Sequence, residues 1–204
     1  MNDLRVAVTG GTSGLGLALV REFRQRGARV AFVARKEDIH PIAIQITAAL
    51  GGLDVLVNNA SSLGPTPLAL LADTECEDFA LALETNVLGP FRLTKALLGA
   101  LTASAREGRA AVVLNISSDA AINAYAQWGA YGASKAALRH MSAIWGEELA
   151  AEGVRVLSLD PGDMDTPLHA LAVPDADPAT LQRPETAARE LADAISTAAM
   201  KEHA

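Results

Sequence analysis

Tyr131 and Lys135 are two residues whose types and spacing could carry out proton transfer. They stand four positions apart in an alanine-rich stretch that favours a helix, so both side chains project from one helix face. A phenol with a reference pKa of about 10 is a weak acid or base at pH 7. A neighbouring ammonium stabilises the phenolate, and we therefore expect Lys135 to lower the pKa of Tyr131. Taken alone, the pair would be better explained as a tyrosine that anchors a helix and a lysine on a solvated face.

A glycine-rich turn near the start of the chain predicts a phosphate-binding site. An apolar run at 4–8 predicts a strand, a helical pattern follows over 15–27, and 30–33 predicts a second strand. Glycine lets the backbone approach a pyrophosphate, and the free N–H groups of the helix N-terminus face the anion. The turn residues expected to contact a dinucleotide are Gly10, Thr12, Ser13, Gly14, Leu15 and Gly16.

Arg35 and Lys36 follow the second predicted strand, where dinucleotide-binding domains contact the adenosine ribose. An acidic residue there suits NAD, whereas the guanidinium of Arg35 could bind the additional phosphate of NADP. We therefore predict that NADP(H) is preferred and that NAD(H) is a second cofactor. The alternative is that Arg35 simply faces solvent at a strand end.

The segment after Arg35 is short for a doubly wound domain, which should supply a helix and a third strand there. Only residues 36–52 separate Arg35 from the next predicted strand, 53–57. Apolar spacing and Asp38 as a cap predict one helix over 39–50, although the isoleucines at 42, 44 and 46 also alternate as in a strand. Either the sheet is shortened after strand 2 or a mobile piece is absent, and the residues do not decide between these.

The rest of the chain alternates helices and strands, which predicts a single α/β domain over 1–204 with a doubly wound parallel sheet. A proline-rich stretch at 163–184 predicts a mobile substrate loop. The other predicted elements are a helix over 81–101 interrupted near Gly89 and Pro90, a strand over 110–116, a helix carrying Tyr131 to about residue 150, a strand over 154–159 and a helix over 185–200.

Composition restricts location and partners. The net charge of −7, with no run of five like charges, argues against nucleic acid or an anionic membrane. No apolar stretch reaches 18 residues, no signal peptide is recognisable, and the single Cys76 cannot form an internal disulfide, so a cytoplasmic protein is expected. No metal is expected, because metal-ligand spacing is lacking among His40, His140, His169 and His203.

The segments 10–16, 58–60, 117–118 and 161–162 each follow a predicted strand, and they should converge at the ligand-binding edge of the sheet. In their order and spacing these residues resemble the short-chain dehydrogenase/reductase family. The matching positions are Thr9-Gly10-x-x-x-Gly14-x-Gly16, Asn58-Asn59-Ala60, Asn86, Ser118 thirteen residues before Tyr131, Lys135, and Pro161-Gly162 with Thr166.

The resemblance implies a Rossmann-like enzyme that uses NAD(P)(H) to interconvert a small-molecule carbonyl compound and its alcohol. By this likeness Tyr131 exchanges a proton with the substrate oxygen, and Ser118 orients that oxygen. Lys135 would hold the nicotinamide ribose, and Asn86 would tie Lys135 to a water chain. The further cofactor contacts implied are Asn58, Ala60, Tyr131, Lys135, Pro161, Gly162, Met164 and Thr166.

The chain also departs from the family pattern. Ser61 stands where the family usually has glycine, and the usual last strand is lacking after the final predicted helix. A homodimer through the helices around Asn86 and after Tyr131 is expected. Trp128 and Tyr125 either line the substrate pocket or pack beneath the loop, and His169 could contact substrate.

Two other functions remain open. One is a nucleotide-sensing or scaffold protein that binds the cofactor without turnover, suggested by the trimmed sheet. The other is an epimerase or dehydratase on the same scaffold, which the glycine spacing supports less well. The presence of Ser118, Tyr131 and Lys135 together argues for the enzyme.

Overall fold

A parallel sheet of five short strands runs through the protein in a computed structural model that describes residues 3–33 and 39–200. The strands are β1 (Arg5–Thr9), β2 (Arg29–Val33), β3 (Val55–Asn58), β4 (Val112–Ile116) and β5 (Arg155–Leu159). Their order is β2-β1-β3-β4-β5, and every neighbouring pair is parallel. The predicted α/β fold with a doubly wound parallel sheet is confirmed.

Helices cover both faces of this sheet. They are α1 (Gly14–Gln25), α2 (Ile39–Leu50), α3 (Cys76–Leu83), α4 (Gly89–Arg106), α5 (Gly129–Leu149), α6 (Pro167–Ala172) and α7 (Pro184–Met200). Alternate residues of the central strands pack against α1 and α7 on one face and against α2, α4 and α5 on the other. Strands buried on both faces require the continuous apolar runs seen in the sequence. Among the described residues, no helix has the length and apolar character needed to cross a membrane.

The segment predicted as one helix over 39–50 is a helix, α2, and the strand alternative is excluded. Because α2 leads directly into β3, which pairs with β1, β2 is the last strand on its side of the described sheet. Phe32 on β2 is accordingly 51% exposed. At the other end, β5 is only half-buried along its length. The residues discussed above that lie outside the described part of the chain are Arg35, Lys36, Asp38 and His203.

The interruption predicted near Gly89 and Pro90 occurs one turn earlier. A π-helical turn at Glu84–Leu88 joins α3 to α4, and Asn86 lies buried within it. Pro90 causes no break because it lies in the first turn of α4, where a helix does not need the N–H group that proline lacks. Single π turns of this kind are frequent at functional sites.

At the amino end of the sheet, Asp54 is fully buried between two arginines. Its carboxylate accepts hydrogen bonds from Arg5 at 2.7 Å and from Arg109 at 2.8 Å. Arg5 also donates to the Ser104 hydroxyl, which in turn donates to the Leu53 carbonyl. Burial alone would raise the pKa of Asp54, but the hydrogen bonds from Arg109 and Arg5 lower this pKa to about 2. This cluster ties β1, β3 and α4 together at the end of the sheet remote from the predicted site.

Candidate active site

A cavity of about 550 Å³ opens at the carboxyl edge of the sheet. The loops after β1, β3, β4 and β5 contribute to its wall, together with the start of α5 and the segment around α6. The sequence-predicted residues that line it are Gly10, Ser13, Gly14, Leu15, Gly16, Ala60, Ser118, Tyr131, Lys135, Pro161, Gly162, Met164 and Thr166. The topology therefore brings most of the predicted site together.

Three predicted site residues within the described chain lie outside the cavity wall. Thr12 is exposed on the glycine-rich turn. Asn58, at the end of β3, donates a hydrogen bond to Asn115 on β4 at 2.8 Å and so joins two strands. Asn86 is buried behind the cavity. Arg35 lies outside the described residues.

The turn between β1 and α1 is suited to an anion. Ser13 is the residue before α1, its side chain makes no capping hydrogen bond, and the first turn carries no acidic residue. The first N–H groups of α1 are therefore free to bind a phosphate. A Cβ atom at Gly16 would lie 2.0 Å from the carbonyl oxygen of Gly10, so only glycine fits at position 16. Gly10 itself has a φ of +69°, which glycine adopts without strain.

Tyr131 lies buried at the start of α5, with its ring 5.7 Å from the ring of Trp128. Its hydroxyl interacts with the hydroxyls of Ser118 and Ser61. Burial raises the pKa of Tyr131 to about 12, and the two serine contacts oppose that rise. The expectation that Lys135 lowers this pKa is therefore not met, because the loss of solvent outweighs the favourable contacts.

Lys135 lies against the same tyrosine, as the helical spacing predicts. Its Nζ is 5.4 Å from the ring centroid of Tyr131 and donates a 2.8 Å hydrogen bond to the Ile116 carbonyl at the end of β4. Burial lowers the pKa of Lys135 to about 8, and the carboxylate of Asp160 partly offsets this. The amine therefore remains mostly charged at pH 7, held by a backbone carbonyl.

Ser118 caps the short turn after β4 and faces the cavity. Its Oγ accepts from the Ala120 N–H at 3.2 Å and donates to Asp119 at 3.1 Å. The Asp119 carboxylate also accepts a 2.7 Å hydrogen bond from Tyr125. Of the two aromatic residues considered for the pocket, Trp128 lines the cavity, whereas Tyr125 is 47% exposed outside its wall.

The side chain of Asn86 joins the loop after β3 to α5. Its Oδ1 accepts from the Ser61 hydroxyl at 3.1 Å and from the Ser62 N–H at 2.8 Å. Its Nδ2 donates to the Ser62 carbonyl and to the Ser134 hydroxyl, both at 2.8 Å. All four hydrogen-bonding positions of the amide are therefore used within the protein. The link from Asn86 to Lys135 through water stays a prediction.

Ser61 is a site residue whose contacts the sequence did not reveal. Its hydroxyl donates to Asn86 Oδ1 at 3.1 Å, and it also opposes the rise in the pKa of Tyr131. The sequence contained one indication of a role for this residue: a serine side chain stands after Asn58-Asn59-Ala60, where the family usually has glycine. Sequence spacing alone could not show this, because Ser61 and Tyr131 are seventy positions apart.

The cavity unites a phosphate-binding turn with a buried tyrosine, lysine and serine at the carboxyl edge of a parallel sheet, as in a dinucleotide-dependent oxidoreductase. Residues 36–177 match the short chain dehydrogenase family. The chain belongs to the short-chain dehydrogenase/reductase family, and it is an NAD(P)-dependent oxidoreductase.

Named relatives agree with this assignment. The chain is similar to L-fucose dehydrogenase of Mus musculus, 31% identical over 198 residues that cover 85% of this chain and 70% of the relative. It is also similar to serine 3-dehydrogenase of Rhizobium radiobacter, 32% identical over 187 residues that cover 79% and 72% of the two chains. The structure of a short chain dehydrogenase from Shigella flexneri complexed with NADP matches with a TM-score of 0.77 at 26% identity, covering 91% of this chain and 87% of that one.

Proposed function

We propose that the protein interconverts a ketone and a secondary alcohol by hydride transfer, with Tyr131 as the acid and base and with NADP(H) as the preferred cofactor. The observation that carries this proposal is the position of the Tyr131 hydroxyl, which lies in the cavity beside Ser118 while Lys135 lies against the ring. In the direction of reduction, the Ser118 hydroxyl turns from Asp119 to donate a hydrogen bond to the carbonyl oxygen, and Tyr131 gives that oxygen a proton. The raised pKa of Tyr131 keeps it protonated at neutral pH, which suits the role of acid.

The residues that line the cavity fit a dinucleotide. The free N–H groups at the start of α1 would hold the pyrophosphate, and the absence of a Cβ at Gly16 lets the turn close. Lys135 would hold the ribose of the nicotinamide, and the loop from Pro161 to Thr166 would hold its ring. When bound, the nicotinamide supplies or accepts the hydride. We assign residues 163–184, which contain α6 and end at the first residue of α7, as the substrate-binding segment of a single dinucleotide-binding domain formed by 1–204.

Turnover tests the proposal directly. Purified protein is incubated with NADPH and a panel of short ketones, and the absorbance of NADPH is followed. We expect oxidation of NADPH with at least one ketone. Tight binding of NADPH in calorimetry without any turnover would instead support a nucleotide-sensing or scaffold protein.

The preference for NADP(H) rests on Arg35. The similar Shigella flexneri structure is complexed with NADP, which is compatible with this preference. We expect Arg35→Asp to raise KM for NADPH at least tenfold while KM for NADH changes little, because the guanidinium no longer pairs with the additional phosphate. Steady-state kinetics with both cofactors measure this. An unchanged KM for NADPH would show that Arg35 does not contact that phosphate.

Gly16→Ala is expected to weaken NADPH binding more than tenfold, because a Cβ atom there would meet the Gly10 carbonyl oxygen at 2.0 Å and open the turn. Isothermal titration calorimetry gives the Kd. Gly99→Ala is the matched control, since a Cβ at that position of α4 meets no atom within 4 Å. Equal affinities for the two variants would contradict the assignment of this turn.

Ser61→Ala is expected to lower kcat/KM for alcohol oxidation about tenfold at every pH from 6 to 11, because the pKa of Tyr131, already about 12, rises further and less of the phenolate base is present. The Ser61 hydroxyl lowers the pKa of Tyr131, and a hydrogen bond to a charged group contributes about 1.5 kcal/mol or more. The profile of kcat/KM for alcohol oxidation between pH 6 and 11 measures the change. Ser62→Ala is the control, because its hydroxyl accepts from the Gly64 N–H instead. An unchanged kcat/KM would assign Ser61 a packing role.

We further propose that the protein is a cytoplasmic homodimer. Its composition and single cysteine favour a reducing compartment. Leu88 beside α4 is 39% exposed and Ile144 on α5 is 45% exposed, so apolar side chains of these helices are available to pack against a second copy. Light scattering after size exclusion distinguishes a dimer of 21.2 kDa chains from a monomer.

A further inference from the structure

Asp119 directly follows Ser118 in the chain and lines the same cavity. The residue is exposed, so a ligand in the cavity can reach its carboxylate. Its Oδ2 accepts a 2.7 Å hydrogen bond from Tyr125, and its Oδ1 accepts a 3.1 Å hydrogen bond from Ser118. The hydrogen bond from Tyr125, together with that from Ser118, holds the pKa of Asp119 below its usual value against the effect of burial. The carboxylate is therefore charged at neutral pH.

This carboxylate has acceptor capacity left for a ligand. An ionised carboxylate offers about four acceptor positions, and Asp119 accepts from the hydroxyls of Tyr125 and Ser118 and from the Ala120 N–H. None of these three donors carries a positive charge. A hydroxyl or an amine of a ligand would therefore make a charge-assisted hydrogen bond to Asp119, which is stronger than one between neutral groups.

Two further carboxylates in the cavity wall, those of Asp160 and Asp163, lie on the loop after β5. Asp160 accepts a 2.9 Å hydrogen bond from the Gly162 N–H of its own loop, and Asp163 lies 3.9 Å from His169 Nε2. This loop is the part of the wall that would hold the nicotinamide ring. Asp119 instead lies beside Ser118, the residue that orients the substrate carbonyl in the proposed reaction.

The hydrogen bond between Ser118 and Asp119 links recognition of a substrate donor to the proposed reaction. Ser118 has a single hydroxyl proton, which it directs to Asp119 Oδ1. A substrate donor that binds Asp119 Oδ1 replaces that proton, and the Ser118 hydroxyl is then free to turn to the carbonyl oxygen. Because Ser118 Oγ and Asp119 Oδ1 are only 3.1 Å apart, this arrangement favours a donor on the carbon atom next to the carbonyl.

We propose that the substrate is an α-hydroxyketone or an α-aminoketone whose hydroxyl or amine donates a hydrogen bond to Asp119 Oδ1. This inference rests on the proposed ketone reduction and adds the chemical class of its substrate. Reduction of an α-hydroxyketone consumes one hydride from NADPH and one proton from Tyr131, and it yields a vicinal diol. Asp119 is then a residue that determines specificity.

Three ketones that differ at one carbon atom test this inference: 3-hydroxy-2-butanone, 3-methoxy-2-butanone and 2-butanone. The methoxy compound keeps the electron-withdrawing oxygen but has no hydrogen to donate. Because the hydroxyketone is intermediate in size, steric fit to a smaller or a larger pocket would favour one of the other two. With the wild-type enzyme and NADPH, we expect kcat/KM for the hydroxyketone to exceed that for either of the others at least tenfold, as a hydrogen bond to a charged group allows.

Asp119→Ala should lower the ratio of kcat/KM for the hydroxyketone to kcat/KM for 2-butanone at least tenfold. Asp119→Asn is the matched variant: its amide oxygen still accepts a hydrogen bond but carries no charge, so we expect it to retain part of the preference. Circular dichroism and thermal unfolding show that each variant is folded.

Equal kcat/KM values for the hydroxyketone and the methoxyketone with the wild-type enzyme would overturn the inference while the ketone reductase activity stands. An unchanged ratio in Asp119→Ala, with equal losses for both ketones, would do the same and would leave Asp119 only a supporting role for Ser118. No turnover of any ketone by the wild-type enzyme would remove the proposed function, and the substrate class with it.

Discussion

Tyr131→Phe is expected to lower kcat for ketone reduction by about 10²- to 10⁴-fold, because the variant has no proton to give to the carbonyl oxygen. The affinity for NADPH should change only a few-fold, since the free N–H groups at the start of α1 remain. Stopped-flow measurement of NADPH oxidation under single-turnover conditions gives the rate of the chemical step, and calorimetry gives the Kd.

Tyr125→Phe provides the control, because Tyr125 is the other tyrosine of the chain. It lies outside the cavity wall and donates to Asp119. We expect this variant to lose less than tenfold in kcat. If Tyr131→Phe lost no more than Tyr125→Phe, another group would have to supply the proton.

Asp54→Asn is expected to lower the free energy of unfolding by about 3–5 kcal/mol, because it leaves the guanidinium groups of Arg5 and Arg109 without a buried counter-charge. Denaturation in urea measures the loss. Asp193→Asn is the control: this carboxylate is 69% exposed and pairs with Arg26 at the surface. Such surface pairs contribute about 0–1 kcal/mol, so a similar loss in both variants would contradict the role of the buried cluster.

The same carboxylate makes stability depend on pH in a defined direction. Asp54 has a pKa of about 2 in the folded protein, compared with 3.8 for the ordinary side chain. Its contribution of about 2 kcal/mol is therefore present above pH 4 and is lost as the pH falls through 2. We expect Asp54→Asn to flatten the fall in stability between pH 4 and pH 2. An unchanged acid limb in the variant would show that other carboxylates control acid unfolding.

The spacing of apolar residues along the sequence was sufficient to predict most of the helices and strands. The helix α2 followed from apolar spacing even though alternate isoleucines imitated a strand, because twelve residues are too long for the short strands of this sheet. Lys135 lies against Tyr131 because a helix places residues four apart on one face, and this geometry does not depend on the rest of the chain.

Features that depend on contacts between distant segments could not be predicted in this way. The pKa of Tyr131 is set by how deeply α5 buries it, and the spacing of Tyr131 and Lys135 contains no information about burial. Likewise, Asp54 pairs with residues 49 and 55 positions away. Ser61 was noted as a departure from glycine, but its contact with Asn86 depends on where the loop after β3 lies against the π turn.

The four hydrogen bonds of Asn86 have a consequence for how the catalytic centre is assembled. One amide connects the loop after β3, the π turn and α5, which are far apart in the chain. All four of its hydrogen bonds are made only when the three segments are in place together. Enzymatic competence should therefore return on refolding together with the complete tertiary structure, and no fragment of the chain should retain it.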